Sequence, residues 1–230
     1  MAINTLLAPP QTESPVSTER APRQAEPNVA PGDAVPDDLV LWRMSVKQYH
    51  AIARAGIIDE DEPVELLEGL LVQKMTKKPP HTAATLLTMD AFRTSIPSGW
   101  FMASQEPVTL ADSEPEPDVM VVRGVIQDFF RRHPGPADVA LVVEVADATL
   151  RRDRGTKKRI YARGGILVYW LINLINMCIE VYTNPTGPIS KPDYLTQQVY
   201  HPGDELPLIL AGEEIAKVRV ESLLPLAEME

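Results

Sequence analysis

The segment ALVVEV, residues 140–145, places one acidic side chain inside an apolar run. Its apolar residues are continuous rather than alternating, which predicts a central β-strand buried on both faces. A carboxylate at Glu144 would be costly in such a strand unless it were paired, protonated or bound to a metal. Glu144 therefore indicates either a structural ion pair with a nearby arginine or a metal ligand at the carboxyl end of a strand.

The segment that follows, RRDRGTKKRIYAR at 151–163, is strongly basic. It carries seven of the 22 lysines and arginines in a chain whose net charge is −10. Such a positive helix is a candidate phosphate-binding surface, although an ordinary solvated helix is the alternative. Asp153, Lys157 and Tyr161 follow one another at i, i+4 and i+8, which places them on one helical face. Because the run comes soon after Glu144, a helix packed over the strand ends would direct Lys157 into the same site.

A second acidic residue opens another apolar strand, PDVMVV at 117–122. Taken alone, Asp118 is typical of an exposed strand start. If its strand neighbours the Glu144 strand, however, both carboxylates can converge on one cation. Mg²⁺ prefers hard oxygen ligands and usually takes one or two protein carboxylates. The two residues together therefore predict a site for Mg²⁺ (or Mn²⁺) of the kind that hydrolyses phosphodiesters.

Composition divides the chain into two parts. Residues 1–38 hold seven of the 22 prolines and no aromatic residue, which predicts a disordered Pro-rich tail acting as a spacer or an interaction segment. Residues 39–230 predict one folded domain. Its pattern indicates helices at 45–56, 80–96 and 151–163, a turn at 68–69, strands at 117–122, 140–145, 166–173 and 178–183, and a further hairpin or two in 194–228. The order of these elements predicts an α/β (or α+β mixed) domain around one mixed sheet.

Several other classes of site and location are disfavoured. The single cysteine, Cys178, excludes an intrachain disulfide and indicates a reducing, cytoplasmic location. The N-terminus carries no secretory pattern, and the most apolar segment, 166–172, is too short to span a membrane as a helix. The four histidines lack zinc-ligand spacing, and no glycine-rich phosphate loop or G-x-S-x-G motif is present.

The combination of VELLEG, SEPEPDVMVV, ALVVEV and DRGTKKRIY resembles the restriction endonuclease family Uma-two, of the PD-(D/E)xK nuclease superfamily. The resemblance covers roughly residues 42–225. It implies a restriction-endonuclease-like fold, in which helices flank a central mixed sheet. Each motif is weak alone, but their combination and order are specific.

The resemblance also implies roles for individual residues. Asp118 matches the aspartate of the PD motif, Glu144 matches the acid of the following strand, and Glu65 matches an early acidic position. The usual E-x-K of the superfamily would place lysine at 146, where this chain has Ala146. The resemblance implies that Lys157, from the next helix, supplies the missing ammonium.

The resulting hypothesis is a Mg²⁺ (or Mn²⁺)-dependent endodeoxyribonuclease. Asp118 and Glu144 would bind the metal, Glu65 would orient a water or complete a second metal site, and Lys157 would stabilise developing charge. The candidate contacts to DNA phosphates are Arg151, Arg152, Arg154, Lys158 and Arg159. DNA is the expected partner; the sequence does not fix the oligomeric state and leaves a homodimer open. A catalytically inactive nucleic-acid-binding protein, or an interaction domain in which Glu144 is a structural ion pair, remain alternatives.

Overall fold

The computed structural model describes residues 39–59 and 62–226. The predicted tail, 1–38, lies outside these residues, so the division of the chain at residue 39 stays a prediction. Within the described ranges, no helix is both long and apolar enough to cross a membrane.

Helices separate three groups of strands along the described chain, and the last group holds five strands in succession. In order they are α1 (Val46–Arg54), β1 (Val64–Leu67), β2 (Leu70–Gln73), α2 (Pro79–Arg93), β3 (Trp100–Ala103), β4 (Val119–Arg123), β5 (Val139–Ala146), α3 (Leu150–Arg152), α4 (Lys158–Gly164), β6 (Val168–Asn173), β7 (Cys178–Pro185), β8 (Tyr194–Tyr200), β9 (Glu205–Leu210) and β10 (Glu213–Arg219). Short 3₁₀ helices cover Ile126–Phe129 and Val220–Ser222, and a π-helical turn, Asp153–Lys157, joins α3 to α4.

A six-stranded mixed sheet forms the centre, in the order β3-β4-β5-β6-β7-β8. Strands β5 and β6 are parallel, and every other neighbouring pair in this sheet is antiparallel. The parallel pair needs a crossover connection, which the helical segment from α3 to α4 provides. The predicted mixed sheet flanked by helices is confirmed.

Strand β5 is buried along its whole length because both faces of the sheet are covered. One apolar layer contains Phe92 of α2, Trp170 of β6 and Leu206 of the separate β9–β10 hairpin. The opposite layer contains Tyr161 of α4 and Tyr169 of β6. This double covering is the physical reason for the continuous rather than alternating apolar pattern at 140–145.

The strands β1 and β2 form a small antiparallel hairpin outside the central sheet. Its two-residue turn, Glu68-Gly69, has positive φ at both positions (49° and 78°), as a tight hairpin of matching twist requires. Leu66 of β1 bridges to Glu114, which ties the hairpin to the segment leading into β4. The turn predicted at 68–69 is therefore confirmed.

The predicted helices are present with small changes at their ends. At the start of α1, Ser45 and Gln48 form a reciprocal capping box, which satisfies two otherwise unpaired backbone N–H groups. The segment predicted as one helix at 151–163 is helical throughout, but it contains the π turn Asp153–Lys157 and ends at Gly165 in the left-handed conformation.

Candidate active site

The register of two antiparallel strands brings Asp118 and Glu144 together. Val119 of β4 lies opposite Val143 of β5, so Asp118, directly before β4, lies next to the Glu144 position. Asp118 Oδ2 accepts a hydrogen bond from the backbone N–H of Val145 at 2.8 Å. Both carboxylates are buried and line one cleft. The neighbouring placement expected from the sequence is therefore present.

Lys157 lies between two of the acidic residues identified in the sequence. Its Nζ is 2.9 Å from Glu144 Oε1 and 3.3 Å from Glu65 Oε2. Glu65 is carried by β1, and its Oε2 also accepts a hydrogen bond from the backbone N–H of Glu116 at 3.3 Å. The ammonium thus reaches Glu144 from the following helix, while position 146 holds a fully buried alanine.

The rest of the predicted helical face also points inward. Tyr161 donates a hydrogen bond to Glu144 Oε1 at 2.5 Å, and Tyr169 of β6 donates one to the backbone carbonyl of Asp153 at 3.1 Å. The side chains of Asp153, Lys157 and Tyr161 are all buried. The i, i+4, i+8 series therefore forms the face that packs on the sheet, and the solvated-helix alternative does not apply to it.

Negative charge exceeds positive charge in the buried floor of the cleft. Four carboxylic residues (Glu65, Asp118, Glu144 and Asp153) are buried there beside one buried lysine. Burial, together with the nearby Asp118, raises the pKa of Glu144 to about 8 despite the opposing effect of Lys157. Burial likewise raises the pKa of Asp153. The pKa of Lys157 is raised as well, because the surrounding carboxylates outweigh the effect of burial.

This surplus of buried acid allows a test of whether the residues of the cleft fit a divalent cation. In the part of the chain that the structure describes, the buried Glu65 Oε1 has no hydrogen-bond partner, and Arg152 Nη2 is 4.0 Å away. A buried oxygen left in this way favours an added cation. Within residues 39–59 and 62–226, no three His, Cys, Asp or Glu side chains are placed to hold one metal together. Mg²⁺ needs only one or two protein carboxylates, so Asp118 and Glu144 fit it.

Sequence reasoning missed one histidine and several cations of the cleft. His81, near the start of α2, has its Nε2 3.2 Å from Asp118 Oδ2, and its Nδ1 is buried with no partner in the described part of the chain. Lys74 contacts Glu116 at 2.8 Å and Lys78 contacts Asp147 at 3.1 Å. The only available signal was position: the segment KMTKKPPH leads directly into a helix.

The five basic residues predicted to contact phosphate fall into two groups. Arg152 lines the cleft and donates to the backbone carbonyl of Gln73 at 3.0 Å, and Arg151 is exposed beside it. Three others hold carboxylates of neighbouring elements: Arg154 binds Glu180, Lys158 binds Asp193 and Arg159 binds Glu68. Much of the positive charge at 151–163 therefore attaches the helix to the rest of the domain.

Comparison with known proteins agrees with this architecture. The family model Uma2, described as "Putative restriction endonuclease", matches residues 46–219. Among solved structures, the chain is similar to "a putative nuclease belonging to DUF820" from Anabaena variabilis ATCC 29413. The TM-score is 0.57 at 16% sequence identity, covering 78% of this chain and 97% of that one. At this identity the likeness concerns the fold alone. No curated protein matches the chain.

Proposed function

The chain belongs to the Uma2 restriction endonuclease family, and from that premise we propose that it is a metal-dependent endonuclease that hydrolyses DNA phosphodiester bonds. The observation that carries the proposal is the contact of Lys157 with Glu144 at 2.9 Å, beside Asp118. These three residues supply the two acids and one ammonium that the chemistry needs, although the lysine comes from a different element than the E-x-K pattern specifies.

In this proposal, Asp118 and Glu144 hold Mg²⁺ (or Mn²⁺). Such a cation supplies Lewis-acid activation of water and neutralises charge on the phosphodiester. Hydrolysis forms a bond between the water oxygen and phosphorus and breaks one P–O bond to the departing strand end. The protein contributes the fixed orientation of the two carboxylates, since Asp118 is held by the Val145 N–H and Glu144 by Tyr161.

Lys157 is the proposed electrostatic partner of the phosphate. Its ammonium is buried and held by Glu65 and Glu144, so its position is set before substrate arrives. A preorganised donor of this kind needs no reorganisation when negative charge develops on the phosphate oxygens. Glu65 accordingly acts on the reaction by holding Lys157, and its role as a metal ligand remains a second expectation.

Basic side chains around the cleft favour the approach of a polyanion. Lys74, Lys77, Lys78 and Arg152 line it, and they come from the β2–α2 connection and from α3. Phosphate contacts by such residues carry affinity without reading base sequence. We therefore add the segment 74–78 to the phosphate-contacting residues predicted from the sequence.

A plasmid-nicking assay with Mg²⁺ and with Mn²⁺ tests the proposal. Wild type is expected to convert supercoiled DNA, whereas Asp118→Asn and Glu144→Gln are expected to be inactive because they remove the metal-holding charge while keeping side-chain size. Lys157→Met is expected to lower the rate roughly 100-fold or more, the cost typical of losing one preorganised donor.

The matched control is Asp90→Asn, which removes an exposed carboxylate on α2 away from the cleft and should cleave like wild type. Circular dichroism of each variant separates loss of chemistry from loss of fold. If wild type binds DNA but fails to cleave it with either metal, a catalytically inactive nucleic-acid-binding protein replaces the nuclease proposal. If it neither cleaves nor binds, the interaction-domain alternative replaces it.

A further inference from the structure

A second basic concavity lies apart from the cleft, between α1 and the loop that follows β4. Its basic lining is His50, Arg54, Arg131, Arg132 and His133, and we call it the arginine pocket. Among the described residues, no aspartate or glutamate is part of its lining. In a chain with net charge −10, such a concentration of positive charge favours an anionic ligand.

The loop that carries three of these residues is fixed at both ends. At its start, Asp128 accepts a hydrogen bond from the Val125 N–H at 3.0 Å. At its end, Asp138 accepts hydrogen bonds from Arg132 at 2.6 and 3.1 Å and from the Gly135 N–H at 2.8 Å. The pocket is therefore preorganised, which lowers the entropic cost of binding a ligand.

An exposed aromatic ring stands at the rim of the arginine pocket. Phe130 is 77% exposed, and the Arg131 guanidinium lies 5.4 Å from its ring centroid. Beneath it, Arg132 lies over the Phe129 ring at 4.8 Å, and Phe129 packs on Phe101 of the sheet. Aromatic faces beside arginines are the usual platform for unpaired bases and their phosphates.

The opposite wall is held by a buried acid. His50 Nε2 is 2.8 Å from both carboxylate oxygens of Glu114, and Thr109 donates to Glu114 at 2.6 Å. Glu114 is 4% exposed, and His50 and Thr109 hold its carboxylate. Arg54 and Arg131, both exposed, are the residues of the pocket best placed to meet phosphates.

The arginine pocket and the cleft are joined by one short segment, EPEPD at 114–118. Glu114 lies against the pocket, and Glu116 contacts Lys74 at the cleft. Even fully extended, two residues span only ~7 Å. The backbone positions that border the two concavities are therefore close, as a ligand with repeated phosphates would need.

We propose that the arginine pocket binds a single-stranded segment of the nucleic-acid substrate, with Arg54 and Arg131 on its phosphates and Phe130 stacked on an unpaired base. This inference rests on the proposed function, because it describes the nucleic acid that the cleft would cleave as one with a single-stranded segment at its side. It predicts that a duplex with a single-stranded tail binds more tightly than a blunt duplex of the same sequence.

The test measures binding of labelled tailed and blunt duplexes as a function of salt, using the full chain with Asp118→Asn so that the probe stays intact. Adding Arg54→Gln and Arg131→Gln is expected to make the negative slope of log K against log salt shallower by ~1.4 for the tailed probe, since each single-strand phosphate contact contributes ~0.7 to its magnitude. Phe130→Ala is expected to weaken tailed binding without changing that slope, because a phenyl ring releases no counterion.

The control pair is Arg93→Gln with Lys217→Gln, which removes two exposed positive charges elsewhere. Arg93, like Arg54, lies in the last turn of its helix, so the change at the helix end is matched. These substitutions should leave the slope of the tailed probe unchanged. Equal slopes in the two pairs, equal affinity for tailed and blunt probes, or no binding of the tailed probe would each overturn the inference.

Two further readouts distinguish other outcomes. Sedimentation velocity should give the same mass for wild type and Phe130→Ala; a change from dimer to monomer would make the exposed ring a protein interface and overturn the inference. Plasmid nicking by the wild-type protein with Mg²⁺ or Mn²⁺ tests the proposed function by itself. If wild type fails to nick, the proposed function fails. The comparison of tailed and blunt probes still tests binding at the arginine pocket separately.

Discussion

At the scale of single residues, the most informative position is Ala146. The absence of lysine there removes the E-x-K pattern, yet Lys157 Nζ lies 2.9 Å from Glu144. Sequence could anticipate this contact because the buried Glu144 needs a partner and the helical series places Lys157 on one face with Tyr161. It could not anticipate His81 beside Asp118, since that contact depends on how α2 packs against the sheet, a long-range property that local patterns do not encode.

Glu144 predicts a dependence of stability on pH in protein freed of divalent cations by a chelator. Its pKa in the folded state is about 8, whereas the ordinary value is 4.5. The folded protein therefore holds a proton that the unfolded chain releases, so this residue's stabilising contribution is complete below pH 4.5 and is lost as pH rises through about 8. The free energy of unfolding, measured by urea denaturation, should fall across that interval.

Glu144→Gln is the variant that isolates this contribution, because glutamine keeps the shape of the side chain and does not titrate. Its unfolding free energy should be flatter than that of wild type between pH 5 and 8, apart from slopes common to both proteins. Asp90→Asn, on the exposed face of α2, should retain the wild-type profile. An identical pH slope in wild type and Glu144→Gln would contradict the prediction.

At the scale of elements, two glutamates hold the helical segment that delivers Lys157. Glu144 of β5 lies beside Leu171 of β6, which lies beside Glu180 of β7, so the three side chains share one face of the sheet. Glu144 binds Lys157, and Glu180 accepts hydrogen bonds from Arg154 Nε at 3.0 and 2.9 Å. The two basic residues, Arg154 and Lys157, both lie in the π turn. Turns of this kind occur often at functional sites. The 3.6-residue period predicts a helix but cannot locate a π turn, because tertiary contacts determine it.

The β1–β2 hairpin gives a prediction at the same scale, since it carries Glu65. Gly69 has φ 78°, and a Cβ there would lie 2.7 Å from Arg43 Cβ and 2.9 Å from the Met44 carbonyl oxygen. Gly69→Ala should therefore lower the unfolding free energy by ~1–2 kcal/mol for the left-handed conformation and ~1–3 kcal/mol for the clash. Thermal or urea denaturation measures the sum.

Gly99→Ala is the matched control because Gly99 also has positive φ, 87°, while its added Cβ would meet no described residue within 4 Å other than its chain neighbours. It should cost only the conformational part, ~1–2 kcal/mol. Nicking activity should also fall further in Gly69→Ala, because displacement of β1 moves Glu65 away from Lys157. Equal destabilisation by the two substitutions would show that the Arg43–Met44 contact does not restrict the turn.

At the scale of the whole molecule, the fold was the most predictable part and the distribution of charge the least. The apolar strands and capped helices are local patterns, so the central mixed sheet could be inferred from the sequence. The contacts made by the basic run at 151–163 could not be inferred from the sequence. Its members bind Glu68, Glu180 and Asp193, which come from three different parts of the chain. Of the basic residues in this run, only Arg152 and Lys157 line the cleft within the described residues, and the other lysines and arginines of the two concavities lie in 74–78, in α1 and in 131–133, where no pattern marks them.

The surplus of buried acid predicts how the whole domain responds to a divalent cation. A ligand that binds only the folded state stabilises it by about 1.4 kcal/mol at ten times its dissociation constant, which for a chain of this size raises Tm by about 3–5 °C. Mg²⁺ should therefore raise the Tm of wild type, and chelation should reverse the change. The shift should be absent in Asp118→Asn and retained in Asp90→Asn, because Asp118 lies at the cleft floor and Asp90 does not line the cleft. This readout is independent of DNA and of turnover. A shift of equal size in both variants would place cation binding elsewhere in the protein and remove Asp118 from the metal site.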